Sequence, residues 1–68
     1  MNLVFNKEGL IYIRLYDMFG NIVQSEKLYV KAGFNELSIE MQDLRKKILY
    51  LTIEQDSNIV LSKLVLNY

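Results

Sequence analysis

The chain has 68 residues, 51% of them apolar and 24% charged, and its 8 basic side chains balance 8 acidic ones. It contains no histidine, cysteine, proline or tryptophan, which excludes a Cys/His zinc site, a disulfide framework, a thiol nucleophile and an imidazole general base. Zero net charge argues against a nucleic-acid binder that works by neutralising phosphates, and no apolar run approaches the roughly 20 residues of a membrane-spanning helix.

The opening Met1-Asn2-Leu3-Val4-Phe5 lacks the basic region and long apolar core of a signal peptide; Leu3 to Phe5 reads as a short strand before the turn Asn6-Lys7-Glu8-Gly9. Ile11, Ile13 and Leu15 then alternate with Tyr12, Arg14 and Tyr16, the period of a half-buried strand. Asp17-Met18-Phe19-Gly20-Asn21 follows, and Gly20-Asn21 tolerates positive φ, so a hairpin is expected there. Ile22 opens a strand to Val30 whose polar centre, Gln24-Ser25-Glu26-Lys27, suits a sheet edge or a bulge. Lys31 to Asn35 reads as a turn, and Glu36 to Glu40 as a strand with Leu37 and Ile39 inward and Met41 continuing it. Asp43 to Lys47 fits a helical turn with Leu44 inward. Leu49, Leu51 and Ile53 alternate with Tyr50, Thr52 and Glu54 in the clearest strand, Ile48 to Glu54. The polar turn Gln55-Asp56-Ser57-Asn58 leads into a last strand, Ile59 to Leu66. No stretch keeps a helical stripe, and short strands at about ten-residue spacing predict a small antiparallel sandwich or barrel.

Few residue groups carry chemistry. Glu36, Glu40 and Asp43 lie close together, but the spaced oxygen ligands and glycine of a calcium loop are missing, and a solvated face accounts for them. Arg45-Lys46-Lys47 could meet an anionic surface, yet three charges in a loop need no ligand. Tyr12, Tyr16, Tyr29, Tyr50 and Tyr68 could stack sugars or bases, while cross-strand packing explains them without one. Ser25, Ser38, Ser57 and Ser62 have no histidine to activate them, and Ser62 and Lys63, as strand neighbours, face opposite ways. The residues therefore give no basis for enzyme activity, a cofactor or a metal.

Several segments together resemble the C-terminal sorting domain of type IX secretion cargo in Bacteroidetes. They are Ile11 to Val23 with its acidic glycine turn, Gly33-Phe34-Asn35-Glu36-Leu37-Ser38-Ile39, Leu44 to Ile53, and Ser62-Lys63-Leu64-Val65-Leu66. The resemblance covers roughly residues 10 to 66. Lys47 stands where the family pattern has glycine, and its tyrosine falls one place later, as Tyr50, which turns it to the other sheet face. The usual proline-asparagine-proline start is absent, so the usual first strand is missing or is replaced by Leu3 to Phe5.

The resemblance implies an immunoglobulin-like β-sandwich of five to six antiparallel strands, with residues 1–68 as a single domain from the C-terminal part of a larger secreted precursor. It implies recognition by the type IX outer-membrane translocon after passage through the periplasm, removal by a sortase-type protease, and a cargo secreted or left on the outer-membrane surface. Carried over by position, Asp17 and Gly20 shape the first hairpin, and Lys63, Leu64 and Val65 form the terminal strand that the machinery reads. An edge strand offers backbone groups to a partner, and the same property favours a homo-oligomer. The alternative is an immunoglobulin-like accessory module of a surface protein, binding glycans or other proteins. The core is expected to draw on Ile11, Ile13, Leu15, Val23, Leu37, Ile39, Leu44, Leu49, Leu51, Ile53 and Leu64.

Overall fold

Alternating residues 11–16 and 49–54 become the two central strands of the larger sheet. A computed structural model describes residues 1–39 and 47–67, in which six strands follow one another: β1 (Asn2–Phe5), β2 (Gly9–Tyr16), β3 (Ile22–Val30), β4 (Gly33–Glu36), β5 (Lys47–Gln55) and β6 (Asn58–Asn67). Glu40, Met41, Asp43, Leu44, Arg45, Lys46 and Tyr68, and with them most of the expected helical turn, lie outside the described residues.

Two antiparallel sheets result, one in the order β3-β2-β5-β6 and the other pairing β1 with β4. That order is the C′-C-F-G sheet and the B-E pair of an immunoglobulin-type sandwich. The link from β4 to β5 changes sheet, so β5 returns beside β2 in a Greek-key path. Tyr12 to Tyr16 pair with Glu54 to Tyr50, which sets Ile13 opposite Ile53 and Leu15 opposite Leu51. Ile11, Ile13, Leu15, Val30, Leu49, Leu51 and Ile53 of the larger sheet form the buried floor, joined by Phe5 and Leu37, with Leu3, Ile39, Leu61 and Val65 packed at the margin. Each fully buried aliphatic side chain of this kind contributes about 1.5–3 kcal/mol of burial free energy.

Four expectations need correction. The fourth strand is Gly33–Glu36, not Glu36 to Glu40. Pairing with β1 decides this, because Val4 aligns with Phe34 and Asn2 with Glu36. Leu37 closes that ladder by donating its N–H to Met1 O (2.6 Å), and it is buried without being in the strand. Val23 is exposed. Leu15 pairs with Gln24 and Tyr16 with Ile22, so Val23 is the extra residue of a bulge and Gln24 takes the core-facing place. Leu64 is 65% exposed. It pairs with Tyr50, whose neighbours Leu49 and Leu51 both point inward, so period two turns Leu64 outward and Val65 inward opposite Leu49. Phe5 and Val30, absent from the expected core, are buried instead.

The turns follow their residues. Asp56 (φ 52°) and Ser57 (φ 65°) both take left-handed backbone between the paired Gln55 and Asn58, the geometry of a type I′ hairpin. Lys7 and Asp56 form an ion pair, and the buried Gln55 donates Nε2–H to Lys7 O (3.0 Å), so the β1–β2 and β5–β6 connections hold each other. Asn35 closes the β3–β4 turn by accepting from Lys31 N–H (3.2 Å) and donating to Lys31 O (2.7 Å).

Candidate functional site: the β6 edge and the neighbouring turn

Asp17 directly follows β2 and organises the hairpin. Its Oδ1 accepts from the backbone N–H groups of Phe19 and Asn21, both at 2.9 Å, and Oδ2 accepts from Asn21 Nδ2 at 3.2 Å. Its own N–H donates to Asn21 O (2.9 Å), and Gly20 N–H donates to Asp17 O (3.2 Å). A short carboxylate reaching the amides two and four residues on is what an acid at this position does best. Gly20 supplies φ 86°, a value costly for any residue with a Cβ. The turn is thereby fixed, and it presents Met18 and Phe19 to solvent, 75% and 89% exposed. The sequence held the signal for this display: two bulky apolar residues inside a turn that has no room to bury them.

β6 is the outer strand of the larger sheet, and no described strand pairs with its free edge. Its residues alternate between faces. Ser62, Leu64 and Leu66 look outward, opposite Thr52, Tyr50 and Ile48. Leu61, Lys63 and Val65 look toward the core layer, opposite Ile53, Leu51 and Leu49. The smaller sheet has two strands against four, and Lys63 is exposed although it lies on the core-facing side.

The outer face divides into a polar and an apolar half. Arg14 Nη1 bonds Glu54 Oε2 at 3.2 Å, and the Arg14 guanidinium lies 5.3 Å from the Tyr12 ring centroid. Thr52 is buried beneath this layer, and Ser62 donates to the Tyr50 hydroxyl. Below that strip a cross-strand row runs Ile22, Tyr16, Tyr50, Leu64. There a groove of about 660 Å³ is lined by Tyr16, Asp17, Gly20, Ile48, Tyr50 and Leu64. A second groove, of about 450 Å³, lies on the other side of the strand, where Lys63, Leu64 and Val65 meet Leu37 and Ile39.

The structure thus gathers the five residues singled out from the sequence at one end of one sheet. Asp17, Gly20 and Leu64 share the outer groove, and Lys63 and Val65 line the inner one, with Leu64 at the rim of both. Tyr16, Tyr50 and Ile48 join them. The one-place displacement of Tyr50, visible in the sequence, is what puts its ring in this groove.

Among the described residues no group of three or more carboxylates stands where it could hold a metal ion, and no helix is long and apolar enough to cross a membrane. Away from the groove, Tyr29 donates its hydroxyl to Glu8 Oε2 at 2.6 Å. That bond to the carboxylate, with some desolvation and the nearby negative charge, raises the Tyr29 pKa above its ordinary value. The arrangement has the parts of a docking edge: a strand edge that no described strand pairs with, an apolar groove, the Lys63 cation and a turn tied together by Asp17.

A family model described as the secretion system C-terminal sorting domain matches residues 1–67. No curated protein and no solved structure matches the chain.

Proposed function

Since the chain belongs to the family of secretion-system C-terminal sorting domains, the signals that mark proteins for type IX export across the outer membrane to the cell surface or medium, we propose that the β6 edge and the Asp17–Gly20 turn are what the translocon reads. On this reading the domain is the C-terminal part of a larger secreted precursor. It performs no chemistry of its own and is removed by a sortase-type protease once the cargo has crossed. The observation that carries the reading is the gathering of Asp17, Gly20, Lys63, Leu64 and Val65 around the two grooves that flank an edge no described strand pairs with. Edge strands are recognised by strand addition, in which backbone bonds supply affinity and alternate side chains supply selectivity. The accessory-module alternative has no comparable support, since the family match runs over nearly the whole chain.

The test is export of a periplasm-directed fluorescent reporter carrying residues 1–68 at its C-terminus, in a Bacteroidetes host with and without a working translocon. The variant Leu64→Glu alters an exposed side chain and leaves the core intact. Export that needs the translocon and falls sharply in this variant is the expected result. Export equal to the parent would overturn the reading.

The other open edges favour pairing between copies. Among the described residues, β1 and β4 pair only with each other, and Val4 and Phe34, aligned across them, are both exposed. A mass that rises with concentration in light scattering is expected, and a monomer mass at high micromolar concentration would remove this part of the proposal.

A further inference from the structure

Lys63 is the one charged side chain on the core-facing side of β6. A cross-strand row runs Gln24, Leu15, Leu51, Lys63, so the ammonium ends a line whose two inner members are buried. The two ion pairs of the described residues are Lys7–Asp56 and Arg14–Glu54, and Lys63 is in neither. Its neighbours on the same face, Leu61 and Val65, are apolar and partly buried. On the opposite face Leu64 and Leu66 are largely exposed, and Ser62 is bonded to Tyr50.

We propose that the strand accepted by β6 belongs to another protein and carries an acidic side chain opposite Lys63, apolar side chains opposite Leu61 and Val65 on the same face, and an apolar side chain opposite Leu64 on the other. This rests on the reading of β6 as the recognised edge and names the chemistry of what recognises it. A strand laid along β6 extends every cross-strand row by one residue. The row ending in Lys63 then gains a side chain about 4.5–5.5 Å away, where a carboxylate is favourable and a second cation is not.

Two arrangements of a second copy fit poorly. Antiparallel pairing of β6 with itself about Lys63 sets two ammonium groups side by side. Pairing with the opposite edge, β3, could set Glu26 against Lys63, because Glu26 lies on the core-facing side opposite Ile13. It would then place Ser25 or Lys27 against Leu64. Lys63 therefore disfavours pairing of β6 with itself, Leu64 disfavours pairing with β3, and a foreign strand with an acidic and an apolar side chain at these two places suits both.

The probes are two end-blocked, dye-labelled peptides that differ only at the position opposite Lys63. Both read Val-Thr-X-Val-Val against residues 61 to 65, with X as Glu or as Lys, and each is made in both chain directions. Binding to residues 1–68 and to the Lys63→Glu variant is followed by fluorescence anisotropy, with circular dichroism as the check on folding. The Glu peptide is expected to bind the parent about five- to tenfold tighter than the Lys peptide, with the order reversed in the variant. Equal affinities, no reversal, or no binding by either peptide at millimolar concentration would overturn the inference, as would a mass increase showing β6-mediated self-assembly. Reporter export separates the two claims. Loss of export in Leu64→Glu with normal export in Lys63→Glu leaves the translocon reading standing and removes the acidic partner. Normal export in both removes the reading itself.

Discussion

Asp17 is worth more to the fold than its exposed position suggests. One carboxylate accepts two backbone N–H groups and an amide, and hydrogen bonds to a charged acceptor contribute about 1.5–3 kcal/mol each at best, less where water competes. Asp17→Ala is expected to lower stability in urea unfolding by about 1–2 kcal/mol, and Asp17→Asn, which keeps one acceptor oxygen, by less. Equal effects would mean that the one oxygen Asn keeps does not hold the turn, and that the charge or the second oxygen carries it. Tyr29 gives a pH signature. Its pKa is raised in the folded state above the value of about 10 of the unfolded chain, so its contribution is complete below pH of about 10 and is lost as pH rises through the folded value. Ultraviolet titration should show the Tyr29 phenol ionising late and shifting back toward the ordinary range in Glu8→Gln. An unchanged titration would remove the Tyr29–Glu8 bond from the account. At this scale the sequence misleads where polarity and position conflict. Lys63 would ordinarily be placed outward and Leu64 inward, and the register reverses both. Only the buried pair Leu49 and Leu51 fixes that register.

Strands differ in how plainly they can be read. Over residues 11–16 and 49–54, β2 and β5 carry aliphatic residues on one face and polar or aromatic residues on the other, so their core residues are legible from alternation alone, while each strand runs one or two residues past the alternation. β6 is apolar on both faces, from Ile59 through Leu66 apart from Ser62 and Lys63, and alternation cannot choose between its faces. β4 is too short to have a period, and its limits come from β1, a partner 28 to 34 residues away in sequence that no local pattern announces. Two substitutions check the assignment of faces. Leu51→Ala, at a site 1% exposed, should cost about 2–5 kcal/mol. Leu64→Ala should stay within about 0.5 kcal/mol of the parent, as surface changes do. Thermal or urea unfolding of the pair decides it, and a large loss in Leu64→Ala with none in Leu51→Ala would turn the sheet over.

For the whole molecule, the consequence of these registers is an unequal sandwich. Four strands are packed against two, and the connection between the sheets brings β5 back beside β2. At the end of the larger sheet, β6 therefore has an edge that no described strand pairs with and a core-facing side that the smaller sheet leaves partly open, while its other face and the β2–β3 turn line one groove. The all-β class is legible from turn spacing, which leaves sandwich and barrel open, and the family, with the sandwich it implies, from the resemblance carried by the order of the motifs. The grooves are not, because they depend on which face Tyr50 and Leu64 share. The measurement closest to the central claim is reporter export with residues 1–68 as the C-terminal signal, comparing the parent with Leu64→Glu and with Phe34→Glu, a change of similar exposure on the far sheet. Translocon-dependent export in the parent and in Phe34→Glu, with loss in Leu64→Glu, is the result that recognition at the β6 edge requires. Equal export from Leu64→Glu, or loss only in Phe34→Glu, would contradict it.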